Sequence, residues 1–173
     1  MVVESAIALL NTNPTASMAE IAAASKVGRT TVYRHFPNRE DLLVALFERV
    51  IVDSRVMTER IAAEAGSAEE MLRMLAPEMI ELGLRYRFLH AYRNVGQQTI
   101  DQSKQMPDDP VRRYLVEAQE RGEVRSDYPA QWIASTISAL AIAALDDLYV
   151  GHYDEAAAGK LLGETLVAAL LPR

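Results

Sequence analysis

The chain has 173 residues, 50% hydrophobic and 24% charged, with no cysteine, which describes a folded globular chain and excludes a disulfide framework or a cysteine-ligated zinc site. The net charge of −6 argues against nucleic acid as a partner for the whole surface. The balance is uneven, however: in residues 1–50, Lys26, Arg29, Arg34, Arg39 and Arg49 are matched by Glu4, Glu20, Glu40, Asp41 and Glu48, and four of those five cations fall between positions 26 and 39, a local basic stretch of the kind phosphate binding needs.

Alanine, leucine, glutamate and arginine dominate, and no β-branched run alternates with polar residues, so the pattern predicts helices throughout. A first helix runs from about Val2 to Leu10 and stops at the turn cluster NTNP. Ser17 opens a second, with Glu20 three residues on in capping-box spacing, and it stops near Ala24. A short third helix follows Gly28 and ends at His35–Phe36, before Pro37. Asn38 caps a long fourth helix whose first turn holds Glu40 and Asp41, favourable at a helix N-terminus. Its apolar residues keep a helical period from Leu42 to Ile61, and it ends before Gly66.

Ser67 and Glu70 repeat the capping-box spacing, and Pro77 is expected to kink or split the helix they open. Helical sequence continues over about Leu84–Val95, followed by the polar connection QQTIDQSKQMPDDP. Asp109 as N-cap and Pro110 as first helical residue open a helix that ends at Gly122. Two apolar helices close the chain, at about Pro129–Val150 and Glu155–Leu171. The longest apolar run, WIASTISALAIAAL, is shorter than the roughly 20 residues of a membrane span. No membrane partner is therefore expected, and without a secretory pattern the expected location is cytoplasmic.

The informative segment is SMAEIAAASKVGRTTVYRHFPNREDL, Ser17 to Leu42: two short helices joined by a tight turn, as a helix-turn-helix requires. Ile21, Ala22, Val27, Val32 and Phe36 are spaced to form a small core, which leaves Arg29, Thr30, Tyr33 and Arg34 on the opposite face of the third helix. A charge, a hydroxyl and an amphipathic aromatic suit a helix lying in the major groove.

In this segment the chain resembles the TetR family of regulators, through Ser17, Ile21, Ala22, Val27, Arg29, Thr30, Thr31, Tyr33, His35, Phe36, Arg39 and Leu42, with TTVYRHF followed by REDLL in order and spacing. LVEAQERGEVRSDYPAQWIA is similar to that family's linker into its penultimate helix. The resemblance implies an all-α chain: a three-helix DNA-binding domain over residues 1–46, then a helical ligand-binding and dimerisation domain over 47–173. It implies that Ser17 offers its hydroxyl or amide to a phosphate and that Arg29, Thr30 and Thr31 approach bases or flanking phosphates. Tyr33 and His35 would anchor the backbone, Arg39 would meet a phosphate from the start of helix four, and Lys26 and Arg34 complete the expected DNA-binding set. The chain departs from the family pattern in Lys26, where the turn usually has glycine, in Gly28, where a serine usually caps the recognition helix, and in a start at MVVESA without a basic arm.

Dimerisation through the last two helices is also implied, and two apolar stripes suit it. One comprises Ile133, Ile137, Leu140, Ala141, Ala144, Leu145 and Leu148; the other has Leu161, Leu162, Leu166, Ala169 and Leu170. The alternative is that both stripes are used inside one subunit. Met57, Met74, Met79, Tyr86, His90 and Trp132 have two readings as well, the lining of an adaptable ligand pocket or ordinary core. No glycine-rich phosphate loop, metal-spaced histidine pair or nucleophile elbow is present, so neither a metal nor a cofactor is expected, and the chain is not read as an enzyme. The expected function is a ligand-responsive, homodimeric transcriptional regulator: a repressor released from pseudo-palindromic double-stranded operator DNA by a small-molecule inducer. The competing reading is a helical ligand-binding dimer whose head binds DNA poorly.

Overall fold

The computed structural model describes residues 2–92 and 109–172, and among them the regular structure is entirely helical. Chain order gives α1 (Val2–Thr12), α2 (Met18–Ala24), α3 (Arg29–His35), α4 (Arg39–Glu64), α5 (Ala68–Arg85), a 3₁₀ segment (Arg87–Tyr92), α6 (Pro110–Glu120), α7 (Ala130–Val150) and α8 (Glu155–Leu170). The expected connection after Val95 lies outside the described residues.

Local chemistry sets most helix ends. Ser17 caps α2 in a full capping box with Glu20. Asn38 Oδ1 accepts the Asp41 N–H at 2.9 Å, and Asp109 Oδ1 accepts that of Val111 at 3.1 Å with Pro110 in the first turn of α6. Ser67 Oγ accepts from Glu70 N at 3.2 Å, but the Glu70 carboxylate reaches back to Gly66 N at 2.8 Å, one residue before the N-cap. Gly122 and Gly151 close α6 and α7 with φ of +73° and +87°, a left-handed conformation that glycine adopts without strain.

The chain divides into two units. Described residues 2–52 and 85–92 form the first and 53–84 with 109–172 the second, so the division inside α4 falls after Val52. In the first unit, Ala6, Ile7 and Leu10 of α1, Ile21 and Ala22 of α2, Val32 of α3, and Leu42, Leu43, Leu46 and Phe47 of α4 are buried, together with Tyr86, Phe88 and Leu89. Val27 and Phe36, expected in this core, are only half-buried.

The second unit buries Met57, Ile61, Leu72, Leu75, Ile80 and Leu115 with one face each of α7 and α8. Two sequence expectations change here. Pro77 does not split its helix: α5 is continuous from Ala68 to Arg85. Gly159 and Gly163 of α8 pack against α5 at this place, and a Cβ built on Gly159 would lie 3.0 Å from Pro77 Cα. Tertiary packing of this closeness outweighs the proline's intrinsic cost of ~3 kcal/mol within a helix. The helical sequence expected over Leu84–Val95 is, as far as Tyr92, the end of α5 and the 3₁₀ segment. The apolar run from Trp132 belongs to a longer helix, the 21 residues of α7, which by length and composition could cross a membrane. It carries Asp146 and Asp147 near its end, and its inner face is spent on the core of the second unit.

The stripe expected to meet a partner chain is that inner face. Ile133, Ile137, Ala141, Leu162, Leu166 and Leu170 are buried in the subunit, and Leu140, Ala144, Leu145, Leu148 and Ala169 are half-buried and packed on the same core. The physical reason is that α7 is apolar on nearly all sides, so the densest stripe packed inward. Trp132, Ile142 and Val150 are left 63%, 41% and 72% exposed on the outer face, with Leu161 of α8 at 43%.

Candidate nucleic-acid interface

Of the nine residues expected at DNA, seven lie on α3 and the turn before it, and Ser17 is the N-cap of α2. The turn is tight because Lys26 adopts a left-handed conformation, φ 56°, which no other non-glycine among the described residues shares. A residue with a Cβ gives up roughly 1–2 kcal/mol to hold that conformation. Ser25, fully buried, closes α2 beside it by donating its hydroxyl to Ala22 O at 2.8 Å.

Val32 anchors α3 with no exposure, and the helical period then turns Thr30 and Arg34 away from the core. Arg29, Thr30, Arg34 and His35 are exposed, while Thr31 and Tyr33 are half-buried. The Arg29 guanidinium sits 5.4 Å over the Tyr33 ring, one turn away on the helix. This cation–π contact holds a long cationic side chain against an aromatic platform. Gly28 caps α3 without any side-chain hydrogen bond.

Two expected phosphate contacts are engaged elsewhere. Ser17 donates its backbone N–H to Glu20 Oε2 at 2.7 Å and its hydroxyl to the same oxygen at 2.6 Å. Both donors that would serve a phosphate are taken by the cap. These bonds, the side-chain one foremost, hold the Glu20 carboxyl below its usual value. Arg39 is half-buried and turned inward. It donates to the Ala16 carbonyl, to Pro14 O at 2.6 Å and to the Tyr92 hydroxyl at 3.0 Å. A guanidinium tied to two carbonyls is an internal brace, and these bonds compete with the phosphate contact expected of Arg39. Tyr92 had no signal in the sequence, standing 53 residues from Arg39.

The proposed pocket residues are divided between the two units. Met57 is buried and Met74 and Met79 are half-buried against the core of the second unit, the ordinary-core alternative. Tyr86 is buried and His90 exposed in the first unit, and Trp132 is exposed on α7. A cavity of about 450 Å³ in the second unit has a different lining, which includes Glu59, Arg113, Tyr114, Glu117, Arg121 and Glu123. It is far more charged than the mostly apolar sites that drug-sized ligands fill.

A three-helix head that presents an exposed, cationic second helix after a tight turn defines a helix-turn-helix DNA-binding protein. Residues 2–46 match the family model described as "Bacterial regulatory proteins, tetR family". The chain is 38% identical over 82 residues to the HTH-type transcriptional repressor LfrR of Mycolicibacterium smegmatis, a match that spans 47% of this chain and 43% of the repressor's length. It is similar to the crystal structure of the TetR-like regulator LfrR from Mycobacterium smegmatis in complex with proflavine, with 25% identity and a TM-score of 0.73 over 99% of this chain and 95% of that one. A SmeT–triclosan complex shares the fold, with 20% identity and a TM-score of 0.71 over 99% of this chain and 90% of that one. Residues 2–46 thus carry a TetR-family DNA-binding head, and the chain as a whole is similar in fold to TetR-like transcriptional regulators.

Proposed function

We propose that this regulator is a repressor that binds a pseudo-palindromic duplex as a homodimer and is released from it by a small molecule. The observation that carries the reading is the outer face of α3, where Thr30 and Arg34 are open to a groove and Arg29 is stacked on Tyr33. Lys26, Thr31 and His35 flank that face. A head over residues 1–46 reads DNA, and the helices of 47–173 hold the inducer and the partner chain. Repression is supported by the name of the relative, and small-molecule control by the proflavine and triclosan complexes of the two neighbours.

The second copy covers the outer face of α7, where Trp132, Thr136, Ala139, Ile142 and Ala143 combine large apolar and small side chains; Leu161 of α8 is exposed as well. A helix apolar on all sides is normally buried on all sides, and the small residues allow close helix approach in a four-helix interface. Two recognition helices would then meet half-sites one DNA turn apart, roughly 34–36 Å. An inducer that prefers another state lowers operator affinity by the ratio of its affinities for the two states, and operator DNA lowers inducer affinity by the same factor.

The test is binding of a labelled duplex from the intergenic DNA beside the gene, titrated between about 50 and 200 mM salt, against a random-sequence duplex of equal length. Specific, salt-sensitive binding that proflavine or triclosan reverses supports the whole reading. Binding that neither compound reverses limits it to DNA recognition. No preference over the random duplex refutes operator recognition and favours the ligand-binding dimer.

A further inference from the structure

The brace around Arg39 is a closed arrangement of three groups. Arg39 Nη2 donates to Pro14 O at 2.6 Å and to Tyr92 Oη at 3.0 Å, and the Tyr92 hydroxyl donates in turn to the same Pro14 carbonyl at 2.6 Å. The guanidinium also lies over the Tyr92 ring, 5.4 Å from its centre, and its other terminal nitrogen donates to the Ala16 carbonyl. Pro14 and Ala16 belong to the connection that leads into Ser17, the N-cap of α2. Such carbonyls have no partner within a helix, and whatever binds them sets the direction from which the chain enters it. A second tie lies at the other end of the connection. Asn11 donates its side-chain amide to Arg85 O at 2.8 Å and accepts from Phe88 N at 3.4 Å. The segment from Arg85 to Tyr92 thus holds the α1–α2 connection at both ends, inside the first unit.

We propose that Tyr92 and Arg39 are positioning residues for DNA binding: together they fix the entry of α2, and with it the pose of α3, so that DNA affinity depends on a segment outside the helix-turn-helix. This rests on the DNA-binding reading above. Neither side chain needs to touch DNA, because both act on the backbone of residues 14–16. The Tyr92 hydroxyl is the part that closes the arrangement, since it alone is both acceptor from Arg39 and donor to Pro14.

The test compares the full-length parent with Tyr92→Phe, Arg39→Ala and the double variant, by anisotropy of the labelled intergenic duplex at several salt concentrations. Tyr92→Phe keeps the ring under the guanidinium and removes only the hydroxyl. It is expected to weaken binding about fivefold to tenfold, the scale of one ordinary net hydrogen bond, with the melting transition in place. The salt slope stays that of the parent, because no phosphate contact is lost. Arg39→Ala weakens binding further at the same slope, and the double variant is no weaker than Arg39→Ala, because the two residues act as one device. Hydrogen exchange across residues 14–24 quickens in Tyr92→Phe. Parent-like affinity and exchange in Tyr92→Phe overturn the proposal, as does an Arg39→Ala slope reduced by about 0.9, the signature of a direct phosphate contact. A parent that binds neither duplex refutes the DNA-binding reading itself, and a parent that binds beside an unaffected Tyr92→Phe refutes only the brace.

Discussion

Lys26 offers the sharpest test of how the turn between α2 and α3 is built. Its φ of 56° places a side chain in the left-handed region, and the residue is exposed, so replacing it removes no packing. Glycine relieves roughly 1–2 kcal/mol of local strain but returns about 0.5–1 kcal/mol through the greater freedom of the unfolded chain. The expected net stabilisation by Lys26→Gly is therefore about 0.5–1 kcal/mol. Lys26→Ala is the control: it also removes the charge but keeps the Cβ, and should leave stability within about 0.5 kcal/mol of the parent. Urea titration followed by helical circular dichroism measures both, with hydrogen exchange over residues 18–36 separating the head from the rest of the chain. The same two variants test the DNA role at constant charge. If Lys26 meets a phosphate, both lose affinity and both show a salt slope lower by about 0.9. Equal stabilities for the glycine and alanine variants, or a glycine variant below the parent, would show that the left-handed turn costs nothing and that the reasoning is wrong.

Gly28→Ser should stabilise α3 by a few tenths of a kcal/mol, since a Cβ there meets nothing within 4 Å and a hydroxyl supplies the missing cap; thermal unfolding reads it. Gly159→Ala should cost about 1 kcal/mol net, because its Cβ would meet the backbone of Pro77 at 3.0 Å and overpacking outweighs the gain in helix propensity; unfolding by urea decides, and a more stable variant would show that α5 can yield. The lowered Glu20 carboxyl favours the ionised folded state, so the capping box stabilises the head fully above the ordinary glutamate value, about 4.3, and loses that contribution as pH falls through the lowered one. Exchange over residues 17–24 should quicken in the parent across that acid window but show no such step in Glu20→Gln. Ala143→Arg, on the exposed face of α7, should turn a dimer into a folded monomer of 19.2 kDa in sedimentation; an unchanged dimer would place the partner elsewhere.

Sequence and tertiary structure divide the work by range. Features whose causes lie within three or four residues were legible along the chain: the Ser17–Glu20 box, Asp109 before Pro110, the glycine end of α6, and the α2–turn–α3 pattern with Val32 inward. Their hydrogen bonds close between neighbours, so residue type and spacing suffice. The features that escaped were settled by partners far along the chain. Arg39 is cationic and close to a recognition helix, which suggests a phosphate, but three of its five N–H donors point to Pro14, Ala16 and Tyr92. Pro77 looks like a break, and it stays in a continuous helix where two glycines of α8 bring the backbones together. In α7 the apolar residues cover too much of the circumference for periodicity to choose a face. Only packing decided that Ile133, Ile137 and Ala141 turn inward while Trp132, Ile142 and Val150 remain outside, because burial rewards apolar area without regard to which stripe supplies it.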